Sequence, residues 1–136
     1  MSSIIMAFDF GTKRIGIAIS QHITYTARPL TTLISNKGTP NWSKLEKIIY
    51  IWQPVTLIVG LPLNMDGSEQ SFTFSARKFA KMLYYKFGIK VIMHDERLST
   101  VEARAFLFKL GGYKFLKKCN IDAESAVVIL DSWLAQ

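Results

Sequence analysis

Ile4-Ile5-Met6-Ala7-Phe8-Asp9-Phe10-Gly11-Thr12-Lys13-Arg14-Ile15-Gly16-Ile17-Ala18-Ile19-Ser20 is the stretch on which the fold turns. Positions 4 to 8 are apolar without alternation, the pattern of a strand buried on both faces and therefore central in its sheet. From Ile15 onward isoleucine alternates with Gly16, Ala18 and Ser20, a period of two that gives one bulky and one small face. The two segments read as an antiparallel pair, with Gly11 able to take the positive φ of the bend. The small face admits a helix or another backbone at close range. Asp9 ends the central strand. An unpaired buried carboxylate is costly or gives up its charge, so this acid belongs at the strand mouth, in reach of water, a cation or a metal. Lys13 and Arg14 put two bases beside it, and acid plus bases at one mouth points to a phosphate ligand.

Working outward, Ala27 to Leu33 reads as a short third strand, placed at an edge by Pro29. Ser35 to Pro40 is turn chemistry, and Ser43 with Glu46 has the spacing of a capping box. The helix that follows keeps Trp42, Leu45, Ile48, Ile49 and Trp52 on one face and stops at Pro54. Thr56 to Gly60 is apolar enough for a second buried strand, parallel to the first, and Leu61 to Gln70 is a loop. Phe72, Ala76, Phe79, Ala80, Leu83 and Phe87 predict an amphipathic helix over 71–87, with Arg77, Lys78 and Lys81 off its apolar stripe and Gly88 ending it. Lys90 to Met93 is a short strand running into His94-Asp95-Glu96-Arg97. Ser99 with Glu102 opens a helix to about Leu110, and a basic loop with Tyr113 and Phe115 follows. A last helix begins near Asp122. The order predicts a single α/β domain over 1–136, a five-stranded mixed sheet flanked by helices.

The 136-residue chain, 49% hydrophobic, is long enough to bury a core without staples. It has no apolar run of the length a membrane helix needs, no leader pattern and one cysteine, Cys119, which together predict a cytoplasmic protein with no membrane partner. Seventeen Lys and Arg against ten Asp and Glu, a formal charge of +7, favour a polyanionic partner, nucleic acid first.

Ligands of such sheets gather at the carboxyl ends of the parallel strands. Asp9 ends one of these strands and Asp95-Glu96 another, and Asp122 opens a helix that can cross the same rim. Three hard oxygen donors of this kind suit Mg²⁺ or Mn²⁺ with positions left for water and a phosphate, and so hydrolysis of a nucleic-acid backbone. Each acid has a plainer role open to it: Asp122 as a helix cap, Asp95 as a surface partner of Arg97. The loop Gly60 to Glu69 hangs over the rim, where Asn64 and backbone amides could meet a phosphate, or serves only as a connector. Lys114, Lys117 and Lys118, interleaved with aromatics, suit phosphate contact and base stacking, or make a solvated connector.

Four motifs stand together: Asp9-Phe10-Gly11-Thr12-Lys13-Arg14-Ile15-Gly16, Gly60-Leu61-Pro62-Leu63-Asn64-Met65-Asp66-Gly67, Asp95-Glu96-Arg97-Leu98-Ser99-Thr100 and Asp122-Ala123-Glu124-Ser125-Ala126-Val127-Val128-Ile129-Leu130. In order and spacing the chain resembles the YqgF (RuvX) family, bacterial proteins with an RNase H-like fold. Its members are regarded as nucleases that mature the 5′ end of pre-16S ribosomal RNA, and an older proposal made them Holliday junction resolvases. The resemblance implies that Asp9, Glu96 and Asp122 are the catalytic, metal-binding acids, and that Lys13, Arg14 and Arg97 serve the substrate backbone. It departs from the family pattern at Gln70 and Ser125. Two other readings stay open: cleavage of four-way DNA junctions by the same chemistry, and a non-catalytic assembly factor that binds rRNA. An actin-like phosphate loop is set aside, because such enzymes need two lobes. The expected assembly is a monomer or a homodimer, the latter through an apolar edge strand near Leu30.

Overall fold

The computed structural model of the chain describes residues 3–21, 26–64, 66–95 and 118–135, the side chains of 118–122 excepted. Six strands form one sheet: β1 (Ile4–Asp9), β2 (Arg14–Gln21), β3 (Thr26–Asn36), β4 (Thr39–Pro40), β5 (Thr56–Leu61) and β6 (Lys90–Asp95), in the order β4-β3-β2-β1-β5-β6. β1 pairs antiparallel with β2 and parallel with β5, and β6 lies parallel to β5. The described helices are α1 (Trp42–Trp52), α2 (Ser71–Phe87) and α3 (Lys118–Leu134).

β1 is the hub, as its unbroken apolar run requires. Its two side-chain rows serve two cores. Met6 and Phe8 join Ile15, Ile17 and Ile19 of β2 against Leu45 of α1 and Phe79 and Leu83 of α2. Ile5 and Ala7 join Ala18 and Ile58 against Ala126, Val127, Ile129 and Leu130 of α3. The small face of β2 thus lies under α3, which packs on β1, β2 and β3, because side chains without bulk let the helix come close.

The sheet has six strands where the sequence predicts five. The extra one, β4, comes from a segment that reads as turn chemistry. Lys37 (φ 52°) and Gly38 (φ 86°) form a two-residue turn with both central φ positive, which folds Thr39–Pro40 back on Ser35–Asn36. β3 is accordingly eleven residues long rather than a short strand. Pro29 stands opposite Ala18, where the pairing with β2 slips by one residue, so the proline sits at a bulge on a stretch whose outer side β4 does not cover.

The α1 cap is Asn41 rather than Ser43: its Oδ1 accepts from the Lys44 N–H at 3.2 Å and its carbonyl from the Leu45 N–H at 3.1 Å. Asparagine caps as well as serine does, and Ser43 and Glu46 fall inside the helix. α2 spans the predicted residues and ends at Gly88 (φ 65°). α3 begins at Lys118, a turn before the predicted start, since nothing from Cys119 to Ile121 breaks a helix. The helix expected over 99–110 lies outside the described residues.

Two features carry energetic consequences. A Cβ at Gly11 would collide with the carbonyl oxygen of Arg14, so only glycine closes the bend between β1 and β2. On α3, burial raises the pKa of Glu124 and the Asp131 carboxylate raises it further; Asp131 is itself raised by partial burial of its carboxyl, against a backbone hydrogen bond from Ala27 that lowers it. A carboxyl whose folded pKa lies above its unfolded one costs stability once pH exceeds the unfolded value, and costs nothing below it.

Gly11→Ala is expected to lose about 1–3 kcal/mol of unfolding free energy in urea titration. Asp131→Asn, which keeps an acceptor for Ala27 and removes a charge near Glu124, is expected to raise the melting temperature at pH 8. The gain should vanish as the pH falls below the ordinary carboxylate range.

Candidate active site

The carboxyl edge of the parallel strands β1, β5 and β6 collects the polar residues that their apolar interiors exclude. Asp9, the last residue of β1, is half-buried and pairs in register with Gly16. It continues the row of Ile5 and Ala7, so it lies on the α3 face of the sheet. The next residue, Phe10, is buried and packs against Phe72 and Phe79 of α2 at ring-centroid distances of 5.4 and 5.1 Å. Gly38 sits so close to this ring that an added Cβ would come within 3.1 Å of it. The acid is therefore fixed by the ladder on one side and an aromatic anchor on the other.

The basic bend is also held. The Thr12 carbonyl accepts from the Gly38 N–H at 3.1 Å, and the Lys13 carbonyl from the Ser35 N–H at 2.8 Å. Lys13 is exposed and Arg14 half-buried at the start of β2. The β3–β4 hairpin thus braces a bend whose side chains are cationic, an element that sequence reasoning missed. The Lys37-Gly38 pair was the signal that could have found it.

Asp95, exposed at the end of β6, pairs with Leu61 and shares the rim with Asp9, two strand spacings or about 10 Å away. His94 is buried, and its Nε2 lies 2.8 Å from the Ser132 hydroxyl of α3. Burial lowers its pKa, against the raising effect of Asp95. The residue ties β6 to α3 as a packed imidazole. Nothing in the sequence signals Ser132 as its partner, 38 positions on, because helix packing alone creates the contact.

The loop after β5 is bonded largely to itself. The Asn64 N–H donates to the Ser68 carbonyl and its Nδ2 to the Ser68 hydroxyl, at 2.9 and 3.0 Å. Asp66 accepts from the Ser68 N–H and hydroxyl at 2.9 and 2.6 Å, and the Gly67 N–H donates to the Asn64 carbonyl. The amides of 64, 67 and 68 are thus engaged within the loop, while the exposed Asn64 side chain keeps a second N–H. Arg77 grips Glu69 with two bonds of 3.1 Å, and the Thr73 hydroxyl donates to the Pro62 carbonyl, which pins the loop to α2. Gln70 is the N-cap of α2. Ser125 is buried, with no hydrogen-bond partner for its hydroxyl among the described residues.

Glu96, Arg97, Lys114 and Lys117 lie outside the described residues. Asp122 and Lys118 are in α3 by backbone, with side chains outside the description. Among the described residues no three of His, Cys, Asp and Glu stand close enough to hold a metal ion. None of their helices is long and apolar enough to cross a membrane.

The chain is 59% identical over 132 residues, 97% of its length and 94% of the relative's, to a Sodalis glossinidius (strain morsitans) protein named "Putative pre-16S rRNA nuclease". It is 58% identical over 136 residues, 100% of its length and 99% of the relative's, to a protein of the same name from Cronobacter sakazakii (strain ATCC BAA-894). Among solved structures it resembles T. thermophilus RuvC in complex with Holliday junction substrate, at a TM-score of 0.58 and 12% identity over 97% of this chain and 93% of that one. It also resembles the fowlpox virus resolvase in complex with Holliday junction DNA, at 0.59 and 16% over 97% of each chain. At those identities the likeness is one of fold, and the fold is RNase H-like. Matched from residue 3 to residue 136 by the family model described as "RuvX: Holliday junction resolvase", the chain belongs to the RuvX family.

Proposed function

We propose that this protein is a divalent-metal-dependent endonuclease that processes the 5′ end of pre-16S rRNA. The observation that carries the reading is Asp9, a half-buried carboxylate at the end of a doubly buried strand, beside a braced bend that bears Lys13 and Arg14. A carboxylate at such a strand mouth suits a hard cation as ligand, and bases beside it suit a phosphodiester. The shared name of relatives at 58–59% identity over nearly the whole chain, and the charge of +7, support pre-rRNA as the polyanion.

Asp9, Glu96 and Asp122 would hold Mg²⁺ or Mn²⁺, for which three carboxylates are a suitable hard donor set. Asp122 falls one turn before Ala126, the first residue of α3 in the core beneath it. The bound metal would supply an activated water and stabilisation of the leaving oxygen. Arg14 offers planar, multiple donors to a backbone phosphate, and Lys13 adds a mobile positive charge. The anchoring of Phe10 keeps Asp9 from following its ligand, so the acid presents its oxygens without reorganising. The RuvC-like fold favours one second reading, cleavage of branched DNA by the same site.

Asp9→Asn is expected to reduce Mg²⁺- or Mn²⁺-dependent cleavage of a pre-16S 5′ leader by about 10²-fold or more, with the melting temperature unchanged. Unchanged cleavage in this variant would leave a non-catalytic rRNA-binding factor as the better description. Assaying the leader beside a four-way DNA junction decides the substrate. Lys13→Ala is expected to weaken RNA binding and to reduce the slope of log K against log salt by about 0.7 in magnitude.

A further inference from the structure

α2 carries a second surface away from the rim. Phe74, Lys78, Lys81 and Tyr85 follow at steps of four, three and four, which aligns them along one side of the helix. Phe74 is 72% exposed, Tyr84 55% and Tyr85 79%, an unusual outlay of aromatic surface for one helix. Between Ser71 and Phe87 there are four cations and no acid. Arg77 is committed to Glu69, and the Lys86 ammonium lies over the Trp42 ring at 4.9 Å. Lys78 and Lys81 have no ion-pair partner among the described residues.

Beside this row, a groove of about 290 Å³ separates α2 from the outer strand β6, lined by Ala80, Lys81, Tyr84, Tyr85, Val91 and Met93. Its floor is apolar, its edge is cationic, and the two tyrosine rings meet edge to face with centroids 6.1 Å apart. A second copy of the chain is a poor occupant, because two-fold pairing of this face would set Lys78 and Lys81 against themselves. A duplex is a poor one too, because its bases are already stacked inside it. Unstacked bases on a phosphate chain satisfy both halves of the surface, the rings by stacking and the lysines by charge.

We propose that the α2–β6 groove binds single-stranded RNA that flanks the cleaved phosphodiester. Tyr84 and Tyr85 stack on its bases, and Lys78 and Lys81 neutralise its phosphates. α2 runs from the end of β5, at the rim that holds Asp9, back to the start of β6 at the far end of the sheet. From Phe74 to Tyr85 it rises through eleven residue steps, about 16 Å. The groove therefore holds a strand on the α2 face, well outside the site, and that strand passes over the rim to reach Asp9 on the α3 face. This inference rests on the RNA-processing reading above.

The test is fluorescence anisotropy of the full chain with a labelled oligoadenylate and with an RNA duplex of the same length, in EDTA so that no cleavage occurs. Tyr84→Ala/Tyr85→Ala should weaken binding of the single strand about tenfold or more and leave the duplex unaffected. Lys78→Gln/Lys81→Gln should reduce the salt slope by about 1.4 in magnitude, and it tests the groove independently should the tyrosine variant fail to fold. Wild-type affinity and slope in a folded variant would overturn the proposal. So would equal losses for strand and duplex, or a wild-type dimer in sedimentation that the tyrosine variant abolishes. Because binding is read without metal, a failure of the Asp9 prediction leaves this result standing, and the reverse also holds.

Discussion

A charged group at the end of a strand buried on both faces must find its partners where the sheet stops, because inside the layers it would meet only hydrocarbon. β1 imposes that constraint on the rest of the molecule. Met6, Ala7 and Phe8 are fully buried between helices on both sides, while Asp9, one step further, is half-buried at the rim. The antiparallel neighbour β2 leaves from the same rim, after a basic bend. The parallel neighbours β5 and β6 bring a polar loop and Asp95 to it. The layered core thus sorts charged chemistry to one edge, where the buried Phe10 ties that edge to the core.

What braces the edge differs from what decorates it. Phe10 belongs to the α2 core, and Gly38 belongs to a hairpin on the opposite side of the bend, yet the two meet. Backbone carbonyls of Thr12 and Lys13 complete the brace, leaving both cationic side chains out of it. The geometry of the bend is carried by backbone and hydrocarbon. His94 follows the same division: its ring is spent on Ser132, and the adjacent Asp95 is exposed.

Much of this was legible in the sequence. The unbroken run from Ile4 to Phe8 marked the central strand, the alternation of isoleucine with small residues marked the face that accepts α3, and the 71–87 stripe gave α2 to the residue. The hairpin at Lys37-Gly38 was missed because two positive-φ residues in a polar stretch read as a plain turn until strands are known to flank it. The α1 cap went to Ser43 because the capping-box spacing is also met inside a helix. For the site, the resemblance singled out the acids, whereas periodicity alone left Asp95 and Glu96 equivalent. The partner of His94 and the self-bonding of the 64–68 loop depend on tertiary distances that no local pattern encodes.

The pair of hydrogen bonds between the bend and the hairpin has one further consequence, for how this protein can vary. The bend's two carbonyls are paired with Ser35 and Gly38, and its glycine leaves no room for a side chain. Exchange of one exposed cation for another at position 13 leaves every one of these constraints intact. An inserted residue between Thr12 and Lys13 changes the spacing of the two carbonyls that these hydrogen bonds hold. The length of this bend is held more tightly than the identity of its exposed cation.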